Sequence, residues 1–179
     1  MERRVGCANG LRGPIAIWRP FLSTLIALAA TLPAVAAAGI FVPGHVRPAP
    51  ALAGTDPVTS KHVSLAQWQG KPLLVNLWGS WCHPCRDEAK ELRAFLARHP
   101  GTVLGIDVED SKPGAKAFQQ RYRVRFPSIF DPNDVLVNRL KVPGTPTTFF
   151  LDKRHRIVAA LYGAGTLALF ERGWKLAVR

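Results

Sequence analysis

Residues 73–88 read Leu73-Leu74-Val75-Asn76-Leu77-Trp78-Gly79-Ser80-Trp81-Cys82-His83-Pro84-Cys85-Arg86-Asp87-Glu88, and the change of hydrophobic period inside them decides the fold. The first six residues form a nearly continuous apolar run, as a central strand buried on both faces requires. From Cys85 onward the apolar residues Cys85, Ala89, Leu92 and Leu96 recur at helical spacing, one stripe of a helix that Pro100-Gly101 ends. The two cysteines therefore fall where a strand gives way to a helix. A Cys-x-x-Cys pair in the first turn of a helix brings two sulfurs within disulfide reach. There the unpaired N–H groups and the positive end of the helix dipole stabilise a thiolate at Cys82. Pro84 fits that turn, where an N–H has no helical partner to lose. Cys82 is expected to be the exposed, attacking sulfur, and Cys85, on the apolar stripe, the shielded, resolving one.

Working outward, residues 102–108 (TVLGIDV) read as a second strand and residues 115–122 as a second helix. Residues 147–151 and 156–161 read as strands joined by the polar turn 152–155, and residues 166–178 as a closing helix. The order β-α-β-α followed by β-β-α predicts an α/β fold, a central mixed sheet with an antiparallel edge flanked by helices. Residues 43–57, with Pro43, Pro48, Pro50 and Pro57 among small residues, have linker composition, so the folded unit is expected over residues 58–179.

The 179 residues have room for one domain with a full core and not for a second catalytic one. The three cysteines, Cys7, Cys82 and Cys85, are too few for a disulfide scaffold. Arg3, Arg4, Arg12 and Arg19, opposed only by Glu2, precede residues 21–42, which carry no charged side chain. As a helix those residues span about 33 Å, enough to cross a membrane, and the basic residues 1–20 predict a cytoplasmic N-terminus with the folded unit outside. A cleaved signal peptide is the alternative, with small-residue sites at Ala36-Ala37-Ala38-Gly39 and Ala49-Pro50-Ala51. Either way the folded unit is exported. The net charge of +12 includes clusters at Arg121, Arg123 and Arg125 and at Lys153, Arg154 and Arg156. Without a recognised binding module these are expected to be solvated faces and not a nucleic-acid surface.

The run from Val75 to Glu88, with Gly144-Thr145-Pro146-Thr147-Thr148-Phe149-Phe150-Leu151-Asp152 some sixty residues later, resembles the thioredoxin superfamily, and within it the membrane-anchored TlpA/ResA/DsbE-like group. The resemblance implies a thioredoxin-like fold with an N-terminal transmembrane helix. It also implies a cis peptide bond before Pro146, so that Thr145 can pair with a substrate strand laid over the cysteines. Trp81, His83 and Pro84, with Thr145 and Pro146, are the expected substrate-binding residues. Glu88 matches an acidic residue that the group places near its cysteines. Three positions after Cys85, it is a candidate proton acceptor for that thiol, with a solvated helix-surface carboxylate as the alternative. Asn76 stands where cytoplasmic thioredoxins carry a buried aspartate, and Lys90 where many members have a helix-kinking proline.

The expected activity is thiol–disulfide exchange with no cofactor beyond the Cys82–Cys85 pair, either reducing exported protein disulfides, as in cytochrome c maturation, or introducing them. Expected partners are cysteine-containing exported proteins and a membrane thiol–disulfide donor or acceptor, with the chain a monomer at the membrane. A copper chaperone using the two thiols is a reading of a different class; the chain has one methionine, Met1, to supplement them. Zinc requires four ligands, and His62, His99 and His155 are scattered. A static disulfide across so short a loop constrains little of the unfolded chain.

Overall fold

The computed structural model describes residues 39–179. Strand β1 (Ile40–Pro48) is followed by β2 (Ala53–Thr55), β3 (His62–Ser64), a 3₁₀ turn (Leu65–Trp68), β4 (Leu73–Trp78) and α1 (His83–Arg98). Then come β5 (Val103–Val108), α2 (Lys112–Tyr122), β6 (Ser128–Asp131), α3 (Val135–Leu140), β7 (Thr147–Leu151), β8 (Arg156–Tyr162) and α4 (Leu167–Ala177). The six-stranded sheet has the order β1-β8-β7-β4-β5-β6, and β2 and β3 form a separate hairpin. β4 pairs parallel to β5 and antiparallel to β7, so the sheet is mixed, as the sequence predicts.

All six residues of β4 are buried, because the strand has a hydrophobic cluster on each side. Leu74 and Trp78 face α1 and α4, where Phe95, Phe150, Phe170 and Trp174 complete one cluster. Leu73, Val75 and Leu77 face the other way, among Leu104, Ile106, Ile129, Leu136 and Phe149. A strand with no solvent side must be apolar on both, which is why its sequence shows no alternation. Aromatic pairs bind the first cluster together: the Trp78 ring lies 4.7 Å from Phe118 of α2, and Phe95 of α1 lies 5.7 Å from Trp174 of α4. Gly173 lets α4 settle directly on the Phe150 ring, since a Cβ there would collide with it.

Two expectations need correction. Residues 43–57 are not a linker. β1 forms the outer edge of the sheet against β8, with a register shift between Pro43 and Arg47, and β2 pairs with β3. Proline is compatible with an edge strand, where an N–H facing outward has no ladder partner to lose, and with an irregular register. Leu52 is buried in the second cluster, and Asp56 fastens the hairpin to the body of the fold. One Asp56 oxygen accepts from the amides of Val58 (2.9 Å) and Thr59 (2.7 Å), the other from the amide of Ser128 at the start of β6 (2.9 Å). The second correction concerns residues 21–42, whose last three, Ile40, Phe41 and Val42, belong to β1. The rest of that stretch up to residue 38, with residues 1–20 and Cys7, lies outside the described residues. No helix among the described residues is long and apolar enough to cross a membrane. β6 and α3, short elements between α2 and β7, have no counterpart in the sequence reading.

A chain starting at Val58 would keep its full stability if residues 43–57 were a linker. The pairing of β1 and the Asp56 contacts instead lead us to expect a loss of more than ~4 kcal/mol or no cooperative transition at all. Urea unfolding of this truncation beside a chain starting at Gly39 measures the difference, and equal midpoints would restore the linker.

Candidate active site

Leaving β4, the chain turns through Gly79, Ser80 and Trp81 into Cys82, the N-cap of α1, whose sulfur accepts the amide of Cys85 at 3.2 Å. His83 and Pro84 open the helix, and Cys82 and Cys85 are joined in a disulfide with Cα atoms 5.3 Å apart. The turn is held from both sides. Asp110, just after β5, accepts from the amide and the hydroxyl of Ser80, the latter at 2.8 Å. The Trp81 indole donates to the Val108 carbonyl at 3.0 Å, and the Arg86 guanidinium donates twice to the Ser80 carbonyl, at 3.1 and 2.7 Å. At Gly79 a Cβ would sit 2.6 Å from the Trp81 indole nitrogen, so the side chain folded back there requires glycine.

The Thr145–Pro146 bond is cis. Because Leu77 pairs with Thr147 and the two strands run antiparallel, this bond lies at the end of the sheet where the cysteine turn emerges. Pro146 is buried and Thr145 half-buried, while Trp81 keeps 49% of its surface exposed even with its N–H paired. His83 is exposed and lies 3.3 Å from Asp87. The structure thus brings the expected substrate-binding residues to one end of the domain. It differs over Cys82, whose exposure is only 2%. Bonded to Cys85 and receiving that residue's N–H, Cys82 is covered in the disulfide form.

Glu88 is not a surface carboxylate. It is 2% exposed, and its partners come from two other parts of the chain. The Asn76 side-chain amide donates to one oxygen at 3.0 Å and also to the Thr148 hydroxyl at 3.0 Å. The Gly165 amide, between β8 and α4, donates to the other oxygen at 2.8 Å. Burial raises the carboxyl, these two hydrogen bonds lower it, and burial prevails, leaving it at about 7. Neither oxygen is bonded to a sulfur in the disulfide form; Glu88 stands three residues along α1 from Cys85, at neutral pH able both to take and to give a proton.

Sequence reasoning missed the carboxyl groups behind the turn. Asp107 of β5 is completely buried, and neither oxygen meets a donor among the described residues. The group beside it is another carboxylate, Asp110, already committed to Ser80 and Ser111. Burial, then the charge of Asp110 and the proton it shares, then the charge of Asp56, push Asp107 up to about 9. Pushed in that direction it favours the neutral acid at pH 7, beside the carboxylate that holds Ser80. One signal was legible: an aspartate inside the strand run TVLGIDV is as out of place as Asn76 in LLVNLW. Among the described residues, no three His, Cys, Asp or Glu side chains converge as a metal site would require.

A model of the AhpC/TSA family matches residues 46–160. The thiol–disulfide oxidoreductase ResA of Geobacillus kaustophilus is 31% identical over 111 residues, which cover 60% of this chain and 64% of the relative. ResA of Bacillus subtilis is 27% identical over 115 residues, covering 62% and 64%. The chain therefore spans less than two thirds of the length of these curated relatives. Among solved structures, a DsbF homologue from Corynebacterium diphtheriae has a TM-score of 0.70 at 34% identity, covering 79% of this chain and 94% of that one. A secreted thiol-disulfide isomerase from Corynebacterium glutamicum gives 0.67 at 27% identity, covering 76% and 89%.

With an ordinary value of 3.8 and a folded value of about 9, Asp107 binds a proton on folding across that interval. Its contribution to stability is full below 3.8, falls as pH rises toward 9, and is level above. Asp107→Asn, whose amide still donates to Asp110, is expected to be more stable than the parent at pH 8 and to have a flatter dependence of Tm on pH. Thermal scans from pH 4 to 9 test this; parallel curves for the two proteins would show that Asp107 is not held neutral.

Proposed function

Since the chain belongs to the AhpC/TSA family, we propose that it is a thiol–disulfide oxidoreductase whose Cys82–Cys85 pair exchanges electrons with protein disulfides outside the cytoplasm. The observation that carries this reading is the placement of that pair in the first turn of α1, at the end of the sheet that bears the cis Thr145–Pro146 bond, with buried Glu88 one turn behind. The fold, thioredoxin-like α/β, is shared with the DsbF homologue.

In the reducing direction the pair starts as a dithiol. The helix N-terminus favours the thiolate of Cys82, which attacks one sulfur of a substrate disulfide, forms a mixed disulfide and expels the other sulfur as a thiolate. Cys85 then gives its proton to the Glu88 carboxylate and attacks the Cys82 sulfur. The mixed disulfide breaks, the second substrate sulfur leaves and is protonated, and the Cys82–Cys85 disulfide remains; two electrons have passed to the substrate. A proton acceptor near pH 7 suits this second step, because Cys85 lies inside the helix stripe, away from water. Thr145 offers its backbone to an extended substrate segment, and Trp81 covers it. With both sulfurs buried in the disulfide form, random thiols have little access, which suits re-reduction by a dedicated membrane donor.

The sequence supports a location at the membrane. After β1 and Gly39, whose amide bonds to the Ala164 carbonyl, are set aside, the uncharged stretch still covers residues 21–38, about 27 Å if helical, behind a basic N-terminus. The reading is of a monomer tethered there. Its substrates are exported proteins with reactive cysteines, and the resemblance to the TlpA/ResA/DsbE-like group points to apocytochrome c before haem attachment. A redox titration decides direction: a potential near ~−120 mV, that of strong oxidants, would eliminate the reductase.

Cys82→Ser is expected to abolish exchange, and Cys85→Ser to accumulate mixed disulfides with its natural substrates; recovery of the Cys85→Ser protein without any bound partner would sink the assigned roles. Glu88→Gln is expected to slow resolution of the mixed disulfide by about 10²-fold and to remove the inflection near pH 7 from its rate. Single-turnover decay of the mixed disulfide across pH 5 to 9 reads both, and an unchanged profile would leave Glu88 a purely structural side chain.

A further inference from the structure

Beside the active site runs a groove of about 710 Å³ between α1, the end of α2 and the segment joining β8 to α4. Arg86, Lys90 and Arg93 line it from α1, Arg121 and Arg123 from the other wall, and Glu88 belongs to the lining as well. The acids on these walls are already engaged. Asp87 lies against His83, and Glu91 accepts the amide of Leu167 at 3.1 Å and sits 3.8 Å from Lys90. None of the four arginines has a carboxylate within ion-pair distance among the described residues. Arg86 donates to the Ser80 carbonyl, and Arg121 lies 5.9 Å from the Tyr122 ring. A second, smaller cavity of about 310 Å³ shares Arg86, Arg121 and Tyr122 with the first and extends it to Ser80, two residues before Cys82.

Four guanidinium groups around one concavity repel one another, and among the described residues none of them is relieved by a carboxylate at ion-pair distance. We propose that this arginine groove docks an acidic segment of the protein whose disulfide is exchanged at Cys82, which deepens the proposed exchange reaction and rests on it. The guanidinium fork matches carboxylates bidentately, and a cleft lined by one sign of charge concentrates a partner of the opposite sign. The occupant is a peptide segment and not a lipid surface, because the groove is concave and a planar membrane meets only its rim. Its continuity with the cavity at Ser80 sets the acidic residues a short way along the chain from the reacting cysteine. Binding in the groove acts on KM and association rate, leaving the sulfur chemistry unchanged.

The test uses the reduced full-length chain and two synthetic peptide disulfides of the same cysteine loop, one flanked by four aspartates or glutamates and one by four glutamines. We expect kcat/KM to favour the acidic peptide by ~10-fold or more at low ionic strength, through KM, with the preference fading as salt is added. In Arg93→Glu/Arg121→Glu the preference should vanish while the neutral peptide reacts as before. Equal kcat/KM for the two peptides in the parent, or a preference that survives in the double variant, would overturn the docking groove and leave the exchange reaction standing. Reaction with neither peptide would remove the exchange reading, and the groove's role with it. If peptide preference is absent and the double variant instead loses binding to phosphatidylglycerol micelles, the groove is a lipid site and the proposal is wrong.

Discussion

β4 has no face toward water, and the rest of the domain is arranged around that constraint. Parallel pairing to β5 on one side and antiparallel pairing to β7 on the other satisfy its backbone, while the two apolar clusters cover its faces. The strand therefore ends where both covers end. Its exit, residues 79–82, is held by hydrogen bonds to Val108 and Asp110 at the end of β5 and by Arg86 in the first turns of α1. A disulfide placed at that exit inherits the rigidity of the sheet behind it. The cis bond before Pro146 shares the same end because β7 is antiparallel to β4.

Two buried carboxyl groups lie on the α1 side of this sheet, and their different surroundings give them different uses. Glu88 has a donor on each oxygen, Asn76 from β4 and Gly165 from the far side of the chain, so burial is partly offset and the group stands at about 7. Asp107 has no donor among the described residues and a second carboxylate as neighbour, so burial is reinforced and the group stands at about 9. The first is poised to move protons at neutral pH. The second is pushed toward its acid form and lies beside Asp110, which anchors Ser80. Had Asn76 been an aspartate, a third carboxyl would face Glu88 and remove the donor that keeps it near neutrality.

The basic surface divides in a similar way by context. Arg156 is paired with Asp152 at 2.7 Å and Arg98 with Glu171 at 3.3 Å, so these charges meet their complements within the fold. The arginines between α1 and α2 have no such complement among the described residues. A net charge counts both kinds alike; only their position relative to the site distinguishes a spent charge from an available one.

The sequence by itself determined the strand-to-helix junction, the placing of both cysteines in its first turn, and the Gly144-Thr145-Pro146 segment. These are local patterns: an apolar run covered on both faces, a period of 3.6, and short motifs read within a few residues of one another. The same local reading mistook β1 for a linker and an anchor, since proline and small residues look alike in a loose tether and in an edge strand that needs few of its own donors. What tertiary structure decided is everything that depends on partners distant in the chain. Glu88 is buried because Gly165 and Asn76, 77 and 12 residues away, close around it, and Asp110 meets Ser80 across 30 residues. Cys82 is covered and not exposed in the disulfide form, where its sulfur is bonded to Cys85 and accepts that residue's amide. Burial and charge neighbourhood are sums over the whole fold, and it is these sums that set the proton affinity of Glu88 and of Asp107.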